Sequence, residues 1–276
     1  MTIMNKIEVI ENFSSEVSAL GVALSEHQLS QFAQFYDLLI EKNSVMNLTR
    51  ITEFDEVYFK HFYDSLSILK LEKIDGRMLT EIFSSNINVL DLGTGAGFPG
   101  VPLKIAFPEI NITFADSVNK KLNFIYDALE EIFADEISDA KEIEKSDDKK
   151  IIMKNGFGTI RIIHGRAEDL GHRKDLREHY DFVVSRAVAN LSTLSEYCLP
   201  FVKVGGHFIS YKSSDCRQEI AESKNAVKIL GGVKSKELEF NLPFDYGNRL
   251  LIDIKKNIST KSKYPRKAGL PSKQPL

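Results

Sequence analysis

The stretch Val89-Leu90-Asp91-Leu92-Gly93-Thr94-Gly95-Ala96-Gly97-Phe98-Pro99-Gly100 constrains this chain more than any other. An apolar strand pattern breaks into glycines, and a helical pattern, Val101 to Phe107, follows at once. A strand, a tight turn and a helix in that order bring backbone amides to a ligand where side chains would collide with it. Gly95, Gly97 and Gly100 satisfy G-x-G-x-x-G, the spacing found in dinucleotide folds. Glycines report close approach of a backbone, not which ligand approaches, so the rest of the chain must choose.

From Asn86 onward strand patterns alternate with helical ones, the mark of a mostly parallel sheet covered on both faces. Strands are predicted at Ile87 to Asp91, Ile110 to Asp116, Thr159 to His164, Tyr180 to Ser185 and Gly206 to Lys212. Val233 to Phe240 and Arg249 to Lys255 read as a closing antiparallel hairpin. The fold class is therefore α/β: a Rossmann-like, mostly parallel sheet with an antiparallel edge hairpin, preceded by a helical N-terminal segment. Residues 1–85 form that segment. Ser25 and Gln28 make a capping box, apolar residues from Leu29 to Ile40 recur at helical spacing, and a third helix is predicted from Glu53 to Leu69.

Residues 86–256 form the sheet domain, and residues 257–276 a basic tail. Within the domain, residues 130–150 hold nine acids against four bases and read as a solvated insertion or helix extension. From Lys255 to the end there are seven cations and no acid, which suits phosphate. The total of 36 basic and 39 acidic residues conceals this segregation. A spatial expectation follows: the tail lies on the mouth side of the cofactor cavity and the acidic insertion away from it.

Cys198 and Cys216 are too few to staple 276 residues and read as reduced thiols. Glu8, Glu11 and Glu16 interrupt any N-terminal apolar leader, and no run of about 18 apolar residues occurs, so a cytoplasmic protein without membrane contact is expected. The six histidines show no metal-ligand spacing, and no metal is expected.

Several residues point to a nucleoside cofactor. Asp116, at the end of the second predicted strand, can accept hydrogen bonds from both ribose hydroxyls, a role that does not separate dinucleotides from S-adenosylmethionine. Asp91, two residues before the first glycine, resembles the first motif of S-adenosylmethionine-dependent methyltransferases and can help hold the methionine ammonium group. The turn Gly165-Arg166-Ala167-Glu168-Asp169 follows the third strand, where in that topology the adenine lies, with the Glu168 carboxylate near its amino group. Ser185-Arg186-Ala187-Val188-Ala189-Asn190 follows the fourth, where open α/β sheets place their reactive group. That position lacks the Pro-Pro-aromatic motif of exocyclic-amine methylation, and neither cysteine suits attack on a cytosine ring, so the acceptor is expected to be nucleophilic already. A nicotinamide-dependent oxidoreductase, supported by the glycine pattern alone, and a non-catalytic RNA-binding module are the alternatives.

With these residues assembled, the chain resembles the RsmG (GidB-type) family of bacterial 16S ribosomal RNA guanine-N7 methyltransferases. Asp91 to Pro102, with its Gly-Phe-Pro-Gly extension, carries the resemblance, joined by Asp116-Ser117, Lys120-Lys121, Phe124, Arg166 to Glu168, Ser185 to Ala187 and Tyr264 to Gly269. Upstream, Asn47-Leu48-Thr49 and His61-Phe62-Tyr63-Asp64-Ser65 are similar to the family's helical region. Two departures stand out: the acidic insertion, and Lys42-Asn43 where the family usually has Trp-Asn.

The resemblance implies an S-adenosylmethionine site lined by Gly93, Phe98, Ala167, Glu168 and Arg186, to which the loop and strand-end argument adds Gly95, Gly97 and Asp116. It implies 16S ribosomal RNA or the small subunit as partner. RNA contact is expected from Lys120, Lys121, Lys212, Arg266 and Lys267. Arg186 is the expected main contributor to the reaction, either holding an anion or donating to the guanine edge, with an acid partner that tempers its charge.

Overall fold

In a computed structural model of the chain, residues 4–137, 142–143, 148–154, 156–186, 189–213 and 216–276 are described. Eight strands of the main sheet are β1 Asn88–Leu92, β2 Asn111–Asp116, β3 Lys149–Ile151, β4 Ile160–His164, β5 Tyr180–Arg186, β6 Val202–Lys212, β7 Gly232–Asn241 and β8 Asn248–Lys256. They lie in the order β7-β8-β6-β5-β1-β2-β4-β3, and a two-residue strand, Glu142–Ile143, pairs outside β3. The pairings β6-β5, β5-β1, β1-β2 and β2-β4 are parallel, whereas β8 runs antiparallel to both β6 and β7.

The central strands read as apolar runs because both faces are covered. Along them, successive side chains enter opposite cores. Val89, Phe114 and Ile162 face one cluster, and Leu90, Ala115 and Ile163 the other. Helices α1 Lys6–Ala19, α2 Glu26–Met46, α3 Gly100–Ala106 and α4 Asn119–Ile132 cover the first face. On the second lie α5 Leu191–Cys198 and α6 Arg217–Ile229.

The α2 capping box is present, and Gln28 does more than close it: its Nε2 also donates to the carbonyls of Ile105 and Ala106 at the end of α3. The predicted third helix is not one regular helix. Phe54–Val57 passes through a π-helical turn, Tyr58–Tyr63, then Asp64–Leu66, and ends in 3-10 turns over Ser67–Leu71. A widened turn rotates the following side chains off the α-helical face, and such turns recur at functional sites. Here it carries His61 toward the sheet's carboxyl end and leaves Tyr58 and Phe62 in an aromatic cluster with Phe13, Phe32 and Phe35. Phe98 of the glycine loop enters the same cluster, 5.5 Å from Phe35 between ring centroids. The N-terminal helices thus grip the loop directly.

The charged insertion is not wholly a solvated bulge. Lys149–Ile151 pairs antiparallel with β4, and Asp148 beside it is buried and paired with Arg161 and Arg173. Its charge pattern hides the strand, because Ile151 is the one buried residue of a strand that otherwise reads Lys149-Lys150. Residues 138–141 and 144–147 of that stretch, and Ala187 and Val188 after β5, lie outside the described residues.

The C-terminal segment is a strap held against the second face. Arg177 donates to the carbonyls of Thr260, Lys261 and Tyr264, Thr260 and Tyr264 are buried, and Arg266 grips the fully buried Glu196 at 2.7 Å. No helix among the described residues is long and apolar enough to cross a membrane.

Candidate active site

A cavity of about 910 Å³ opens at the carboxyl ends of β1, β2, β4 and β5. Chain order reverses between β1 and β5, and ligands of open α/β sheets bind at such a crevice. Gly93, Gly95, Phe98, Asp116, Lys121, Ala167, Glu168 and Arg186 all line it. Gly97 stands behind the lining: its φ is +93°, and a Cβ there would lie 2.7 Å from Val101 Cγ2. Gly95, at φ +60°, has open space where its Cβ would be. Asp116 accepts the Gly95 amide on Oδ2 and the Val118 amide on Oδ1, both at 2.9 Å. The carboxylate fixes the loop against β2 and keeps further lone pairs for a ligand.

Asp91 does not reach the cavity as expected. It is fully buried, and its Oδ2 accepts from Thr94 Oγ1 at 2.7 Å and the Gly100 amide at 2.8 Å. Its job is internal, closing the loop onto the start of α3. Burial pushes its carboxyl up to about 7, against the pull of those two donors.

Arg186, at the end of β5, faces Lys60 and His61 of the widened helical turn and Asp64, which follows it. Its Nη1 donates to Asp64 Oδ2 at 3.1 Å and to the Lys60 carbonyl at 3.4 Å, and Nη2 lies 3.2 Å from His61 Nδ1. Its guanidinium sits 4.9 Å from the Phe98 ring centroid, on which the His61 ring also stacks. Guanidinium only donates, so Nδ1 must accept and the His61 proton lies on Nε2, from which it is given to Thr49 Oγ1 at 2.8 Å. Asp64 is the tempering acid, and it is shared: Arg249 Nε reaches its other oxygen at 3.0 Å. Of the five guanidinium donors, Nε–H and one Nη2–H have no partner among the described residues and can serve a ligand.

Burial, followed by the Arg186 charge, pushes His61 down to about 3. An unfolded histidine takes up its proton near pH 6.5, so below that pH protonation favours the unfolded chain. Asp91 acts oppositely, holding a proton in the fold up to about pH 7 that the unfolded chain releases near 4. The expected result is a difference measurement. As pH falls from 6.5 to 4, wild type loses stability relative to His61→Gln by about 1.4 kcal/mol per pH unit. Urea unfolding of both proteins across that range checks it, and a constant difference would show that His61 titrates normally.

Two of the cations expected to meet RNA are engaged within the protein. Lys212 Nζ is buried and committed to the Ala189 carbonyl and, at 2.6 Å, to Glu219, so it offers nothing to a phosphate. Arg266 is spent on Glu196 and on the Gln274 carbonyl. Glu168 lines the cavity and also reaches the strap, where its Oε1 accepts the Gly269 amide at 2.9 Å. Lys120 and Lys267 are exposed beyond the lining. Cys198 is buried and its thiol pushed well up by burial, consistent with an incidental thiol.

Thr49, His61, Tyr197, Gly269 and Ser272 also line the cavity. Sequence reasoning gave none of them a role there. The only signal was that Thr49, His61 and Gly269 stood in the motifs that carried the family resemblance. Gly269 and Ser272 place the strap on the cavity side of the molecule.

Comparison with known proteins agrees with this architecture. The family model described as rRNA small subunit methyltransferase G matches residues 28–151 and 148–243. A protein named ribosomal RNA small subunit methyltransferase G from Lachnoclostridium phytofermentans is 44% identical over 264 residues, covering 96% of each chain. One of the same name from Desulforamulus reducens is 45% identical over 253 residues, covering 92% of each. Among solved structures, an O-methyltransferase from Bacillus cereus in complex with SAH superposes with a TM-score of 0.50 at 13% identity, covering 89% of this chain and 100% of that one.

Proposed function

Because the chain belongs to the ribosomal RNA small subunit methyltransferase G family, we propose that it methylates N7 of a guanine in 16S ribosomal RNA, in the cytoplasm, with S-adenosylmethionine as methyl donor. The observation that carries the choice of atom is what the cavity wall does with its acids and bases. Asp116 and Glu168 each accept backbone amides, and His61 is used at both ring nitrogens. Asp64, just behind the wall, holds two arginines. No general base stands idle among these groups. Guanine N7 has an in-plane lone pair and no proton to lose, so it needs none.

The residues present fit the cofactor. Gly93 to Ala96 offer close backbone approach, Asp116 retains acceptor capacity for ribose hydroxyls, and the Ala167 turn stands where the adenine edge is expected. When bound, S-adenosylmethionine supplies an electrophilic methyl group on a sulfonium centre. The chain itself supplies position. Arg186, held in one orientation by Asp64, His61 and the Phe98 face, presents its two remaining donors to an anion or to guanine O6. The nicotinamide reading gains nothing from the relatives, whose names are those of methyltransferases.

Mass mapping of 16S RNA from cells with and without the protein tests this. The expected result is loss of one N7-methylguanine. An unchanged map, or thermal stabilisation by NAD and not by S-adenosylhomocysteine, would overturn it.

A further inference from the structure

The strap that closes the cavity is the same piece of chain that carries unpaired cations outward. On its inner side, Gly269 and Ser272 line the cavity, the Gly269 amide is bonded to Glu168, and Thr193 Oγ1 donates to the Pro271 carbonyl at 3.0 Å. Two residues before Gly269 and one after Ser272 stand Lys267 and Lys273, both exposed and in no ion pair among the described residues. Lys121 and Arg166 also line the cavity, Arg166 exposed and Lys121 half-buried, and exposed Lys120 adjoins Lys121. A phosphate backbone at the mouth would meet these cations together with Lys267 and Lys273.

The attachments of the strap are uneven. Its first part is anchored by the Arg177 fork on three carbonyls and by the Arg266–Glu196 pair, and Pro265 sits so close to Gly171 that a Cβ there would lie 2.6 Å from it. The last part, which forms the cavity wall, is held by the Glu168 and Thr193 hydrogen bonds, by the Arg266 bond to the Gln274 carbonyl and by buried Pro271, with no ion pair of its own among the described residues. Glu168 faces the cavity on one side and the strap on the other. Anything that orders residues 267–273 therefore orders a wall of the cofactor site.

We propose that this strap is a shared wall, in which RNA phosphates on Lys267 and Lys273 hold Gly269 and Ser272 against the cavity, so that RNA and cofactor strengthen each other's binding. The proposal rests on the methyltransferase reading above. Linkage makes the coupling reciprocal: whatever factor RNA adds to cofactor affinity, the cofactor adds to RNA affinity.

Equilibrium binding of labelled S-adenosylhomocysteine to the full chain tests it, alone and saturated with small ribosomal subunits from cells lacking this protein. The expected result is that saturation lowers the Kd of S-adenosylhomocysteine by about fivefold or more. The Lys267→Ala, Lys273→Ala double variant loses that drop even at saturating subunits. Subunits that bind and are methylated while the Kd stays unchanged would overturn the proposal, as would a full drop in the double variant. Failure of S-adenosylhomocysteine to bind at all would instead sink the methyltransferase reading, and the proposal with it.

Discussion

Asp64→Asn will leave S-adenosylhomocysteine bound while methyl transfer to small-subunit RNA falls by about two orders of magnitude, the cost of misplacing a positioning group by about 1 Å. Asp64→Ala will in addition lower the unfolding free energy by about 3 kcal/mol, the low end for breaking a buried ion pair from one side. The Asp64 side chain is only 4% exposed and is, among the described residues, the one carboxylate paired with both Arg186 and Arg249. Removing its charge leaves two guanidinium groups without their shared counter-charge in a partly buried place, with the His61 nitrogen, the Lys60 carbonyl and the Phe98 face to orient Arg186. The amide keeps the shape and one acceptor, so the fold tolerates it better than the fork geometry does. Single-turnover methylation, ligand binding and urea unfolding separate the two effects. Wild-type single-turnover rates in Asp64→Asn would show that Arg186 needs no such fixing.

The parts of the fold that were legible in the sequence are those whose signal is local. β1, β2, β4, β5 and β6 are covered on both faces, so each reads as a short apolar run, and the glycine loop after β1 fixes where the sheet turns over to its ligand. Boundaries were less legible. β6 begins at Val202, four residues before its apolar run, because Lys203 to Gly205 are exposed at the sheet's end. What stayed hidden depends on contacts across long sequence distance. Nothing near Lys212 announces the Ala189 carbonyl, 23 residues back, that takes its ammonium, and nothing near Arg266 announces Glu196, seventy residues away. Lys104 illustrates the same point inside the core: it looks like a surface helix residue, yet it is buried and donates to the carbonyls of Pro108, Ile110 and Gly158. A cation in the sequence announces only that it will find oxygen. Whether the oxygen belongs to RNA or to the protein is a property of the fold.

The glycine loop yields the second large expected effect, because two of its glycines are required for different reasons. Gly100→Ala will cost about 3 kcal/mol of stability, the upper end for overpacking a core, and cofactor binding will fail with it. Its Cβ would lie 2.4 Å from Phe114 Cε1 and 2.7 Å from Asp91 Oδ2. Neither neighbour can yield cheaply: Phe114 is fully buried in β2, and that Asp91 oxygen holds Thr94 and the Gly100 amide in place. Forcing α3 away from the sheet also withdraws Phe98 from the aromatic cluster that ties the loop to the N-terminal helices. Gly95→Ala meets nothing of the kind. Its φ of +60° costs an alanine about 1–2 kcal/mol, and the new methyl enters open space beside the cavity rather than the core. The expected contrast is therefore a split between two measurements. In urea unfolding Gly100→Ala is the damaged protein, whereas Gly95→Ala remains folded and loses S-adenosylhomocysteine affinity out of proportion to its small loss of stability. Equal affinity in Gly95→Ala and wild type would mean that the loop backbone does not approach the ligand at that residue, and the role of Asp116 in holding the Gly95 amide would then be structural alone.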